Sequence, residues 1–293
     1  MRKIFAFPVF VLFGVAFGQN VPTEKVTVKF SDPSKPGVLE ANLMNGGISV
    51  EGYAGSEVVI EAVARTQKVS EDAREHDFEY EEENEENGEN KNRDVSTRGL
   101  RKLSVTTTGL EVVEESNRMQ VSVSSWMRTI DLKIKVPRKT SLELSTINSG
   151  NVEVTNVDGE VEVSNMNGKI KLANVGGTVV ANATNGDVTV SLARVDAGKA
   201  MSFVSMNGDL DVTLPASTKA LLKMKTEHGD IYSDFEITFD QQRRVRQEDN
   251  RNKGGRYELQ IENVMLGSIN GGGPEFRLET FNGNIYVRKM QAN

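Results

Sequence analysis

The 293-residue chain has a formal charge of −7, no cysteine and only 6% aromatic residues, with a single tryptophan, Trp126. The absence of cysteine excludes a disulfide framework, thiol chemistry and the acylated cysteine of a lipoprotein anchor. The acidic excess sits in one stretch and leaves the remainder near neutral, so no basic groove for nucleic acid is expected.

Residues 1–18 start basic at Arg2 and Lys3, run apolar from Ile4 to Phe17 and end in Ala16-Phe17-Gly18. This pattern predicts a secretory signal peptide, cleaved to leave a mature chain starting at Gln19. A bilayer span needs about 20 apolar residues, so no integral membrane span is expected after cleavage.

Early strands are predicted at Val26–Phe30, Val58–Val63, Leu103–Val105, Met119–Val123 and Ile130–Val136, where apolar and polar residues alternate or β-branched residues cluster. Pro137 ends the last of them, because it has no N–H for a ladder. Gly109 and Ser116-Asn117 supply turns. This N-terminal region reads as irregular β structure able to cap a repetitive body. It is interrupted at 68–99 by an acidic insertion. Between Glu71 and Asp94 twelve acidic residues face only Arg74, Lys91 and Arg93, and a self-repelling segment without an apolar stripe is expected to be disordered.

The middle of the chain is ruled by a repeat. Gly150, Gly159, Gly168, Gly177 and Gly186 stand nine residues apart. Apolar residues follow at the second and fourth positions: Val152 and Val154, Val161 and Val163, Ile170 and Leu172, Val179 and Ala181, Val188 and Val190. That alternation is strand periodicity, and a short fixed period marks units that bury their apolar faces only by stacking. The residues before the glycines, Ser149, Asp158, Asn167, Gly176 and Asn185, are types that tolerate a left-handed backbone.

Two arrangements compete for this repeat. Asn-Gly between alternating runs also signals hairpins, which would give an antiparallel meander. The seventh position after the glycine favours the alternative. Val157, Met166 and Val175 have the wrong parity for a straight strand, so a bend should turn them inward, as in a solenoid whose nine-residue arcs are half-coils. Stacked coils would lie about 4.8 Å apart.

The same phrase recurs as Asn45-Gly46-Gly47-Ile48-Ser49-Val50, Asn207-Gly208-Asp209-Leu210, His228-Gly229-Asp230-Ile231 and Asn282-Gly283-Asn284-Ile285. Intervals of 22 residues from Gly186 to Gly208 and 21 from Gly208 to Gly229 imply longer arcs, and the extra residues around Leu192–Val195 and Leu214-Pro215 should map to corners. Residues 240–256, rich in arginine and nearly free of aliphatic side chains, read as a basic loop.

No catalytic, cofactor-binding or metal-binding residues are nominated. The two histidines are His76, in the acidic insertion, and His228, in a turn slot that asparagine fills elsewhere; neither has a nucleophile and an orienting partner in view. Asp187, Asp209 and Asp230 follow turn glycines, but Asn151, Glu160, Lys169 and Thr178 take that place in the other nonapeptides, so no repeated Ca²⁺ ligand survives.

The segments Val136-Pro137, Asn148–Val154, Val212–Pro215, Thr226–Ile231 and Leu278–Ile285 resemble the bacterial "putative adhesin" family of exported β-solenoid proteins, over roughly residues 103–289. The resemblance implies surface or envelope interaction and brings no catalytic residues. The expectation is an all-β solenoid, a single domain over 19–293, acting without catalysis as an exported interaction module in the periplasm, at the surface or outside the cell. Its partner would be an unknown protein or glycan. The alternatives are a carbohydrate-active β-helix enzyme, a lyase or glycosidase, and a purely structural periplasmic scaffold.

Overall fold

The computed structural model describes residues 23–65, 107–124, 128–240 and 264–291, and the backbone of strands 245–249 and 257–261. The signal segment 1–18, the acidic insertion 68–99 with His76, the strand expected at Leu103–Val105, and Trp126 lie outside the described residues.

Alternation of apolar and polar residues becomes β structure throughout. The N-terminal strands are β1 (Thr23–Lys29), β2 (Val38–Asn45), β3 (Ile48–Tyr53), β4 (Glu57–Ala64), β5 (Leu110–Glu115), β6 (Arg118–Val123) and β7 (Ile130–Pro137). The repeats supply β8 (Ser141–Asn148), β9 (Val152–Thr155), β10 (Val161–Asn167), β11 (Ile170–Val175), β12 (Val179–Asn185) and β13 (Val188–Leu192). Then come β14 (Met201–Asn207), β15 (Leu210–Leu214), β16 (Ala220–His228), β17 (Ile231–Ser233) and β18 (Thr238–Phe239). The last are β19 (Val245–Asp249), β20 (Tyr257–Ile261), β21 (Met265–Ile269), β22 (Glu275–Asn282) and β23 (Ile285–Lys289).

The repeats pair in parallel at a distance of one full coil. Val161 lies beside Val179, and Ile170 lies between Val152 and Val188, so each 18-residue coil is two nine-residue arcs. The fold is a two-sided β-solenoid, and the meander is ruled out. One arc of each coil joins an 11-stranded sheet and the other a 10-stranded sheet. Their inward residues form one core, in which Val152, Val154, Val163, Ile170, Val188 and Val190 are fully buried.

Coil order in space departs from chain order. Along the stack it runs β6/β7, β2/β3, β8/β9, β10/β11, β12/β13, β14/β15, β22/β23, β16/β17. The first coil of the chain is thus wedged between β6/β7 and β8/β9, and the last between β14/β15 and β16/β17. Gly229 accordingly stacks on Gly283, not on Gly208 as steady spacing along the sequence implies.

Antiparallel strands close the ends. β4 flanks β7 and β1 flanks β4, β5 flanks β6, and β21 with β18 covers β16. The turn between β5 and β6 has Ser116 and Asn117 both at positive φ, 56° and 65°, as the two-residue loop of a tight hairpin needs. Short outermost strands such as β17 and β18 limit the edge offered to a foreign strand. The insertions at residues 193–200 and 215–219 lie between β13 and β14 and between β15 and β16, at corners as expected.

Three expectations need correction. Of the five residues before the repeat glycines only Ser149 is left-handed, at φ 64°; Asn156 (59°), Asn174 (54°) and Gly177 (75°) carry the other positive angles of this region. Asn156 and Asn174 change the strand parity, and Val157 and Val175 immediately after them turn fully inward. Met166 does not join the core. β10 runs straight on to Asn167, parity holds, and Met166 stays 48% exposed while Asn165 takes the inner place. Finally, the segment read as a basic loop contains β19, which pairs antiparallel with β20 in a separate two-stranded sheet. Its charge masked an alternation that continues through Tyr257-Glu258-Leu259-Gln260-Ile261.

Candidate interaction surfaces

The corner joining the two sheets is built from four side-by-side rows, one residue per coil. Its axis is glycine stacked on glycine. A Cβ at Gly168 would lie 2.1 Å from the Gly150 carbonyl oxygen, and one at Gly186 2.1 Å from that of Gly168. Glycine is required there by backbone contact between coils. The residue before it forms an asparagine ladder, in which Asn167, Asn185, Asn207 and Asn282 each donate Nδ2 to the Oδ1 of the coil below, at 3.0, 2.9, 2.8 and 2.7 Å, down to Asn148.

Two residues before four of these asparagines an inward polar side chain reaches the glycine carbonyl of the neighbouring coil, whereas Ala183 fills that place before Asn185. Thr146 Oγ1 donates to Gly46 at 2.7 Å, Asn165 Nδ2 to Gly150 at 3.0 Å, Ser205 Oγ to Gly186 at 3.0 Å and Thr280 Oγ1 to Gly208 at 2.9 Å. These buried groups satisfy carbonyls that the turn would otherwise strand away from water.

The residue after the glycine forms the fourth row. Asp187 Oδ1 accepts the Asp209 N–H at 3.1 Å, Asp209 Oδ1 accepts the Asn284 N–H at 2.7 Å, and Asn284 Oδ1 accepts the Asp230 N–H at 2.9 Å. Lys169 pairs with Asp187 at 2.9 Å, and that contact holds the Asp187 carboxyl below its ordinary value. The carboxylates of Asp187 and Asp209, which the sequence singled out, are therefore occupied in binding coil to coil, whereas Asp230 joins that row only through its N–H. His228 takes the terminal slot of the asparagine ladder, exposed, its ring edge-on to Phe281 at 5.2 Å between centroids. Among the described residues no group of three or more histidines, aspartates or glutamates is placed to hold a metal ion.

The residue between the inner polar row and the asparagine points outward, and it is mostly apolar. Met44, Ile147, Met166, Thr184, Met206 and Phe281 lie side by side on β2, β8, β10, β12, β14 and β22. All but Thr184 are large apolar side chains, from 38% to 58% exposed. Scattered exposed apolar residues need no explanation, whereas a contiguous row marks a contact surface. Sequence reading missed it by placing Met166 in the core.

A second cluster lies at the other sheet's end. Tyr232 on β17 and Tyr286 on β23 stack at 5.2 Å with 11° between ring planes. The Arg288 guanidinium lies 5.0 Å from the Tyr286 ring centroid, and its Nε donates to both carboxylate oxygens of Asp211, at 2.9 and 3.1 Å. Asn284 Nδ2 donates to the Tyr286 hydroxyl at 3.2 Å, and the Tyr232 hydroxyl donates to Asp230 at 3.3 Å. The Asp230 charge raises the Tyr232 phenol above its ordinary value. β17 is the last strand of its sheet, and Tyr232 is 50% exposed. A separate open hollow of about 690 Å³ lies at the corner of the two insertions, lined by Arg194, Pro215, Lys219 and Pro274 among others.

A family model described as Toastrack DUF4097 matches residues 146–264, the heart of the repeat, and the chain is similar to that family there. Among solved structures, that of "a putative cell adhesion protein" from Clostridium sporogenes aligns at 11% identity and TM-score 0.43, covering 92% of this chain and all of that one. "A putative adhesin" from Bacteroides fragilis aligns at 10% identity and TM-score 0.30, covering 94% and 100%. A "putative lipid binding protein" from Parabacteroides distasonis gives 10% identity and TM-score 0.26, covering 92% and 97%. No curated protein matches the chain. With scores this low, the fold rests on the strand pairing itself. The resemblance to adhesin-like β-solenoids read from the sequence stands, and no helix among the described residues is long and apolar enough to cross a membrane.

Proposed function

We propose that this chain is an exported, non-enzymatic interaction module of the cell envelope or surface, adhesin-like in character, and that its terminal coil takes a glycan. The observation that carries the reading is the Tyr232–Tyr286 stack with its polar surround. The outer ring of the pair is open at the sheet's end and offers an apolar plane to the C–H face of a sugar. Asp230, Asn284 and the Asp211–Arg288 pair stand beside it as hydroxyl partners. A flat aromatic surface with a few fixed polar groups is how orientation and specificity are combined in small-ligand recognition. The stacked repeat holds these side chains on short strands, Tyr286 between two neighbours and Tyr232 on the edge strand paired to β23, so little ordering entropy is lost on binding.

Export is supported by the basic start and apolar run of residues 1–18. The non-enzymatic reading is supported by the engagement of Asp187 and Asp209 with the backbone of the next coil.

The mature protein applied to an immobilised glycan panel is expected to bind a subset of sugars with micromolar or weaker affinity. Tyr232→Ala is expected to lower that binding at least tenfold with no change in the melting curve. Absence of any glycan binding by the intact protein, or binding unaltered by Tyr232→Ala, refutes the glycan reading.

A further inference from the structure

We infer that the apolar row on the 11-stranded sheet is a self-complementary contact, covered by a second copy of this chain. Over the five strands from β8 to β22 the row is matched in apolar character about its middle, and beyond them Met44 on β2 comes opposite Glu227 on β16. Thr184 on β12 is its centre, Met166 and Met206 flank it, and Ile147 and Phe281 come next. A two-fold axis lying between two such faces and running along β12 reverses the order of strands while keeping their direction. It sets Thr184 opposite Thr184 of the second copy, Met166 opposite Met206, and Ile147 opposite Phe281. Isologous contacts of this kind are the commonest route to a closed dimer.

Two charged positions on the same face meet their opposites under that operation. Glu40, Glu143 and Glu162 project outward from β2, β8 and β10, offset by Arg118 alone, which pairs with Glu40 and Glu143. At the other end Lys223, Lys225 and Arg277 are balanced by Glu227, Glu275 and Glu279. The acidic end of one copy therefore meets the neutral end of the other, with Glu143 opposite Arg277 and Glu40 opposite Lys223. A lipid surface fits less well, because half of the face is acidic and the asparagine ladder runs beside the row.

The size is sufficient. Seven strands about 4.8 Å apart and three outward residues about 6.8 Å apart along each strand give on the order of 700 Å² per copy. A standard specific interface buries about 800 Å² per partner. The two tyrosine clusters lie on the other sheet and stay uncovered, so the dimer would present both, at opposite ends and on opposite faces.

Sedimentation of the mature protein over a range of concentrations is expected to show a monomer–dimer equilibrium, with the dimer dominant at tens of micromolar. Thr184→Arg puts two cations on the axis and is expected to weaken the dimer at least 100-fold. Because the chain has no cysteine, Thr184→Cys supplies a unique thiol. A short bis-maleimide is expected to link it to its counterpart in the second copy, while Glu153→Cys on the opposite sheet stays unlinked. Melting curves of each variant check that the fold persists. A monomer at all concentrations, a dimer indifferent to Thr184→Arg, or cross-linking through position 153 instead of 184 overturns the inference. It does not depend on the glycan reading, which Tyr232→Ala tests on the other sheet.

Discussion

Single residues hold this molecule through contacts between coils, and the cost of replacing them depends on which row they occupy. Gly186→Ala forces a methyl group against a backbone carbonyl 2.1 Å away, with no flexible side chain to yield. The expected loss, read by urea unfolding, is about 1–3 kcal/mol, in the range of a core overpacking lesion. Val163 is fully buried, so Val163→Asp places an unpaired charge in the core and is expected to abolish the cooperative transition in circular dichroism. Asp187 sets an acid limit. Its carboxyl is held below its ordinary value by Lys169, so the stability it contributes is complete above the unfolded pKa near ~4 and is lost as pH falls through the folded value. Melting temperature should hold from neutrality to about pH 5 and fall below about pH 4. Asp187→Asn keeps an acceptor for the Asp209 N–H and should flatten that acid decline, a difference that thermal scans at pH 3 and pH 6 resolve.

At the level of elements, the β18–β21 pair shows how separable the inserted hairpin is. Thr238 and Phe239 already pair with Ser268 and Gly267, and the Asp240 N–H donates to Leu266 at 2.9 Å. The chain ends that β19 and β20 extend are thus held together without them, and β19 and β20 pair only with each other among the described strands. Replacing residues 241–264 by an Asn-Gly turn is expected to shift the melting temperature by only a few degrees, because loop closure changes slowly with length; a larger drop would show that the hairpin packs on the body. This hairpin also marks a limit of sequence reading. Period two identified the strands of the repeat and the glycine spacing identified the half-coil, since both are set within nine residues. Parity at the seventh position was not legible in the same way. It depends on whether a left-handed residue intervenes, as Asn156 and Asn174 do before Val157 and Val175, and nothing does before Met166. The apolar row and the tyrosine stack escaped for a related reason, because each joins residues that only the coil register makes neighbours.

For the molecule as a whole, the wedged terminal coils decide how it folds. Local spacing suggests a stack that grows from one end to the other, each repeat depending only on the one before. In the structure β22 and β23, the last regular strands of the chain, lie inside the stack and bridge β14/β15 to β16/β17. Phe276, Leu278, Ile285 and Val287 from that coil are all buried in the common core. A chain lacking it has two separated fragments of core, each with a bare parallel edge, and the coil at β16/β17 loses its neighbour along the stack. The N-terminal coil β2/β3 is wedged in the same way between β6/β7 and β8/β9. These contacts join distant parts of the sequence, and such topology makes folding slow and cooperative. Truncation after Pro274 is therefore expected to remove the unfolding transition altogether, or leave one of much smaller amplitude, while truncation after Met290 leaves the melting curve within about a degree of the intact protein. An end-to-end stack predicts the opposite for the first truncation: loss of one terminal coil with a folded remainder of nearly unchanged stability. Hydrogen exchange on the protein truncated after Pro274 separates the two, since retained protection of the β10–β13 amides at intact levels would show that the terminal coil is an ornament on an independently stable stack.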